Sequence, residues 1–265
     1  MNGLIFKTYL ADMMEILGIN ERRLRDLNKS YKNDYIRIIN YHHVPAACRN
    51  IFEEQVKWYY SEFENVTRDK LESFLESGYI FRDKPGLAIT FDDGFADNYE
   101  MSFPILNKYG FTGWYFVSSS LVDTRGYMTA AQLKTMAEGG HIIGNHTYSH
   151  HRMEITDSQE LLKREIQTSK EQLEKMLGRK VEAFAWCGGE ECHYTKAASD
   201  WIKRSGYRYS MMTNSQPVLH DTSRQQLQRT NIDAGWKMSL VRFQLSGAID
   251  KRFEKKRIRV NERIQ

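Results

Sequence analysis

Leu87-Ala88-Ile89-Thr90-Phe91-Asp92-Asp93-Gly94 reads as a short, apolar, β-rich run that stops at two carboxylates and a glycine. Similar runs recur on both sides of it: Ile36 to Tyr41, Thr112 to Val117, Ile142-Ile143, Val181 to Trp186, Tyr207 to Met212 and Gln226 to Ile232. Helical spacing separates them, over 49–63, 67–77, up to about Lys108, 129–138, 157–177, 194–204 and 236–245. Thr67 suits a helix start, Asp157 with Glu160 forms a capping box, Gly178 stops a helix, and Pro104 is placed to kink one. Strands alternating with helices imply parallel strands wrapped by helices, as a barrel or as an open sheet.

The chain has 265 residues, enough for one catalytic-sized domain, assigned to 35–249. Residues 1–34 read as a helical extension. Ile5, Phe6, Tyr9, Leu10, Met13, Met14 and Leu17 recur at helical spacing before Gly18 and Asn20 break the pattern. Packing on the body is favoured over dimerisation or a membrane surface, because the polar face is poor in Lys and Arg. Residues 250–265 form a basic tail with seven basic and three acidic residues, read first as a solvated end. The net charge is +4, so the body is near neutral and a general nucleic-acid binder is excluded. Hydrophobic residues at 41% exclude a disordered chain. The N-terminal apolar stretch is interrupted by Lys7, Asp12 and Glu15, unlike an export signal, and Cys48, Cys187 and Cys192 are too few for a disulfide framework. Both features point to the cytoplasm.

Chemistry collects in two places. Asp92 and Asp93 are adjacent like charges at a strand end, costly to ionise together unless a cation relieves them, and Gly94 permits a sharp turn. His146-Thr147-Tyr148-Ser149-His150-His151 follows another strand, and histidines at i and i+4 face one way on a helical turn. Both clusters follow strands, so both can reach the C-terminal mouth of one parallel sheet. One Asp and two His could hold a metal while the second Asp acts as a base, which fits metal-assisted hydrolysis. Thr147 and Ser149 could orient the ligands. Spacing leaves open which Asp plays which part.

Thr90-Phe91-Asp92-Asp93-Gly94 followed by His146-Thr147-Tyr148-Ser149-His150 resembles the polysaccharide deacetylases, carbohydrate esterase family four. Tyr41-His42-His43-Val44 and Leu227-Gln228-Arg229-Thr230-Asn231-Ile232 resemble further segments, so the likeness spans about 36–247. The resemblance implies an α/β fold, a distorted (β/α) barrel of about seven parallel strands. It implies Asp92 as general base, with Asp93, His146 and His150 as ligands of a divalent metal, most often zinc and sometimes cobalt or nickel. The implied reaction removes an N-acetyl group from an amino sugar, using a metal-held water activated by Asp92.

Two departures stand out. The family's aromatic-Pro-aromatic-Gly stretch corresponds to Phe184-Ala185-Trp186-Cys187-Gly188-Gly189, where Cys187 replaces the proline and Gly188 the aromatic, so a looser loop is expected. The family's late histidine, a general acid, is resembled by His220 in Val218-Leu219-His220-Asp221, with His42 and His43 as rivals. Cys187, Cys192 and His193 lack the spacing of a second metal site. The expected substrate is an N-acetylated sugar, nucleotide-sugar or lipid-linked glycan of surface-polysaccharide biosynthesis. The basic tail could then meet anionic lipid at the inner face of the membrane or a nucleotide-sugar diphosphate. The alternatives are a deformylase, another non-peptide amide hydrolase, and a carbohydrate-binding protein with weakened turnover.

Overall fold

Near-continuous apolar runs give each strand two faces to bury, and closure into a ring covered by helices buries both. The computed structural model describes residues 3–264; Met1, Asn2 and Gln265, the outer ends of the two expected extensions, lie outside the described residues. Its strands are β1 (Ile36–Tyr41), β2 (Glu64–Asn65), β3 (Gly86–Phe91), β4 (Gly113–Val117), β5 (Ile142–Asn145), β6 (Ala183–Ala185), β7 (Tyr209–Met212) and β8 (Leu227–Asn231). β1 pairs with β3 along its whole length, from Ile36↔Gly86 to Tyr41↔Phe91, and with β8 at Ile38↔Arg229 through Asn40↔Asn231. The ring β1-β3-β4-β5-β6-β7-β8 therefore closes as seven parallel strands, in agreement with the expected barrel. It is distorted where β5 meets β6, which share the single pairing Asn145↔Phe184. The two-residue β2 only lines the start of β3.

One row of side chains (Ile36, Ile38, Ala88, Trp114, Phe116, Ala185, Met211 and Leu227) forms one buried cluster. The other row, including Ile39, Tyr41, Ile89, Phe91, Tyr115, Val117 and Phe184, packs with residues of the helices. By the same parity, Asp92 lies two residues beyond Thr90 in the row of Ala88, and Arg229 lies two beyond Leu227.

The helices are α1 (Gly3–Ile16), α2 (Ile19–Ser30), α3 (Arg49–Glu62), α4 (Arg68–Leu75), α5 (Phe103–Lys108), α6 (Ala130–Glu138), α7 (Gln159–Leu162), α8 (Ser169–Leu177), α9 (Lys196–Arg204), α10 (Met238–Leu245) and α11 (Glu254–Ile264). Thr67 caps α4 by accepting from Lys70 N at 3.2 Å. The cap of α7 is Ser158, which accepts from Leu161 N; Asp157 instead accepts from Glu154 N and bonds His151. Pro104 stands inside one helical run over 96–108, directly after a π turn at Asn98–Ser102, the local widening of the helix that accompanies its missing N–H.

The two ends of the chain are both bound to the barrel. Asn20 Nδ2 donates to Ala11 O and Ser239 O, tying α1 and α2 to α10, and Ala11 is fully buried. Leu4, Phe6, Tyr9, Met13 and Ile16 remain exposed on α1. The basic end is not a solvated tail. It folds into α11, burying Val260 and Ile264, while Arg259 pairs with Glu191 at 2.7 Å and Arg257 donates to Ser215 O.

His141 couples three elements just before β5. Its Nδ1 accepts from Gly113 N at 2.9 Å, so Nε2–H donates to Asn107 Oδ1 at 2.9 Å, and burial pushes its pKa down to about 4. The unfolded chain binds this proton near pH 6.5 while the native state refuses it until about pH 4. The stabilisation is therefore complete above pH 6.5 and lost as the pH falls toward 4, in all about 3 kcal/mol. Urea unfolding at pH 7 and pH 4.5 should show a smaller acid loss in His141→Gln than in the wild type.

Candidate active site

Most of the chemistry-bearing residues below stand at or just after the C-terminal ends of barrel strands. Asn40 and His42 stand at the end of β1, Asp92 and Asp93 after β3, His146 after β5, Cys187 after β6 and Asn231 at the end of β8. With Trp186, Gly188, Gly189, Thr213, His150 and Arg152, most of these line one cavity of about 290 Å³.

Asp92 is buried and held on both oxygens. Arg229 donates Nη1 to Oδ1 at 2.6 Å and Nη2 to Oδ2 at 2.8 Å, and Asn40 Nδ2 donates to Oδ2 at 3.0 Å. Burial alone would raise its pKa, but the charge of Arg229, reinforced by His146, holds the carboxyl below the usual range. The carboxylate is thus ionised at neutral pH and fixed in orientation.

The backbone turns at Asp93, which has φ 73°, followed by Gly94 at φ 81°. A Cβ on Gly94 would stand 2.8 Å from Val117 Cγ1, so glycine is required there for space as well as conformation. The turn swings Asp93 toward the histidines. Its Oδ1 lies 3.4 Å from His146 Nε2 and 3.0 Å from His150 Nε2. His146 Nδ1–H donates to Ala185 O at 2.8 Å, which turns Nε2 toward Asp93. The histidines do not converge through a helical turn. Thr147 and His150 have φ 66° and 60°, and Ser149 anchors the turn on the buried Glu165 through its N–H (2.9 Å) and its Oγ (3.0 Å). Three non-glycine residues in left-handed backbone at one site are strain of about 1–3 kcal/mol each, held by the surrounding structure.

These donors fit a divalent metal. Asp93 Oδ1 is buried without a hydrogen-bond partner, facing two imidazole nitrogens. Ligands about 2.1 Å from a common ion stand about 3.0 Å apart at octahedral angles and about 3.4 Å apart at tetrahedral ones. The spacings here lie at those two values. The Cys187 thiol stands beside the same pair: its Sγ and the ring nitrogens of His146 and His150 all lie within 4.8 Å of one another.

The loop expected to be loose is tied down. Cys187 Sγ donates to His146 O at 3.3 Å, Trp186 Nε1 donates to Ser210 Oγ at 2.8 Å, and Lys256 of α11 donates to Gly189 O. A Cβ on Gly189 would lie 2.6 Å from Thr213 Oγ1, so this loop packs too closely for a side chain there.

His220 does not reach the site. Val218 pairs antiparallel with Ile36, at the opposite end of β1 from His42, and so carries His220 to the N-terminal end of the barrel. Its Nδ1 bonds Phe74 O at 2.7 Å, its Nε2 bonds Asp34 at 2.8 Å, and its ring stacks on Phe74. The expected catalytic role is replaced by a structural one. His220→Gln should keep turnover within about twofold of wild type and cost about 1 kcal/mol in unfolding. Of the rivals, His42 lines the cavity, whereas His43 bonds Asp97 at 2.8 Å and stacks on Phe95.

Arg229, Asn40 and Cys187 were not among the candidate residues of the sequence. A charged residue inside the strand Leu227–Asn231 was the available signal, because a buried arginine needs a buried acid.

Comparison with known proteins agrees with this fold. Residues 82–210 match the family model described as polysaccharide deacetylase. YxkH of Bacillus subtilis (strain 168), provisionally named a polysaccharide deacetylase, is 24% identical over 213 residues, covering 78% of this chain and 75% of its own. Among solved structures, the deacetylase PplD of Streptococcus pyogenes, in complex with acetate, superposes with a TM-score of 0.69 at 21% identity, over 80% of this chain and 98% of that one. IcaB from Ammonifex degensii gives 0.67 at 20% identity, over 82% and 97%.

Proposed function

We infer, for a chain that belongs to the polysaccharide deacetylase family, that it hydrolyses the N-acetyl group of an amino sugar with the help of a divalent metal, zinc by expectation. The observation that carries this reading is the orphaned Asp93 Oδ1 facing His146 Nε2 and His150 Nε2 beside an ionised Asp92 fixed by Arg229 and Asn40. Asp93, His146 and His150 would hold the cation. When bound, it supplies a Lewis acid for the amide carbonyl and acidifies water at neutral pH.

Asp92 accepts the proton of the attacking water. Arg229 and Asn40 fix its carboxylate so that no rotamer search is needed at the moment of reaction. The departing nitrogen must gain a proton, and His42 is the imidazole of the cavity not committed to Asp93. We assign it the role for which the sequence favoured His220. Acetate, the molecule held by the PplD neighbour, and a free amine are the products.

Incubating the metal-loaded protein with N-acetyl, N-formyl and N-acylated non-sugar amides tests the reading. Acetate release from N-acetylated sugars above all others is the expected result. Formate release alone, or metal uptake with no acid released from any sugar, would overturn it.

A further inference from the structure

Thr213 and Asn231 line not only the catalytic cavity but also a second one, of about 170 Å³. Lys7, Arg229, Arg252 and Trp236 line it too, and no carboxylate does. The charge of Arg229 is met by Asp92. Lys7 and Arg252 have no carboxylate oxygen within 4.0 Å among the described residues. The Lys7 ammonium lies over the Trp236 ring, 5.2 Å from its centre. Burial, reinforced by the charge of Arg252, pushes its pKa down to about 8.

Two like charges at one cavity wall repel each other; the Trp236 face offsets part of the Lys7 charge and water part of that of the exposed Arg252, but no carboxylate among the described residues neutralises either. An oxyanion would. A lysine supplies a point charge and an arginine a planar fork, the usual pair for phosphate or carboxylate. Both residues lie outside the strand barrel, Lys7 on α1 and Arg252 in the turn Asp250–Phe253 before α11. Docking of the two ends of the chain therefore builds this cavity beside the catalytic one.

We propose that the cavity lined by Lys7, Arg252 and Trp236 receives an anionic substituent of the acylated sugar, a phosphate ester or a carboxylate, while the N-acetyl group occupies the adjoining catalytic cavity. The placement of the acetyl group rests on the deacetylase reading above; the anion site does not.

The test uses the full chain loaded with metal. Turnover is measured on N-acetylglucosamine, its 1-phosphate and N-acetylmuramic acid, and binding of inorganic pyrophosphate is measured by calorimetry. One or both charged sugars should have a kcat/KM at least about tenfold above that of the neutral sugar, through KM, and which of the two gains identifies phosphate or carboxylate as the anion. Lys7→Gln and Arg252→Gln should each lower that charged-to-neutral ratio about tenfold and weaken pyrophosphate binding in parallel. The ratio is read within each variant, so a general loss of folding does not move it. Equal use of charged and neutral sugars, or a preference unaltered by both substitutions, would overturn the proposal. Pyrophosphate binding that depends on Lys7 and Arg252, in a protein that never releases acetate, would sink the deacetylase reading and leave the anion site standing.

Discussion

Asp92→Asn should retain metal and lose turnover, by about 10²- to 10⁴-fold, the range expected when a general base is removed. The asparagine keeps the shape of the side chain and can still meet Arg229 with its oxygen, but it cannot take a proton from water. It also leaves the buried Arg229 guanidinium without its counter-charge. Breaking a buried pair costs about 3–5 kcal/mol, so unfolding should become easier as well. Metal content measured beside turnover separates the two effects. A folded variant with full metal and normal turnover would remove Asp92 from the chemistry.

Asp93→Ala, or His146→Ala, should fail in a different way, losing metal and turnover together. Each substitution removes one of three donors, the two imidazole nitrogens lying 3.4 and 3.0 Å from Asp93 Oδ1. The charge stabilisation supplied by a catalytic cation is several kcal/mol, which converts to a loss of about 10³-fold or more. Added zinc in excess should restore part of the activity in these variants and none in Asp92→Asn. Full metal content in Asp93→Ala would show that the ion is held by other groups, of which Cys187 is the nearest at hand.

The parts of this molecule legible in the sequence were those governed by local rules. The strands around Ile36–Tyr41 and Gly86–Phe91 show because continuous apolar runs have few other solutions, and alternation with helices leads to parallel pairing. Asp92-Asp93-Gly94 showed because adjacent charges and a glycine have a local cost that something must repay. The two histidine rings do stand side by side, 5.1 Å apart, but not by the expected helical turn. Their convergence depends on left-handed backbone at Thr147 and His150, stabilised by Glu165 from a later element, and no local pattern encodes that.

What stayed hidden was settled by tertiary pairing. Val218-Leu219-His220 has the look of a strand leading into a catalytic histidine, yet its pairing with Ile36 carries it to the wrong end of the barrel. Lys256, Arg257 and Arg259 read as a solvated basic tail because charge patterns do not name their partners. Val260 and Ile264, four residues apart, were the missed sign that one face of this segment is buried. Cys187 was judged by its spacing to Cys192, whereas its neighbours in space are His146 and His150.

Anomalous diffraction at the zinc edge from crystals of the zinc-loaded protein tests the central claim most directly. A single strong peak about 2.1 Å from Asp93 Oδ1 and from the Nε2 atoms of His146 and His150, with Asp92 still paired to Arg229, is the expected result. A peak held elsewhere, or one with Asp92 drawn off Arg229 to become a ligand, would contradict it.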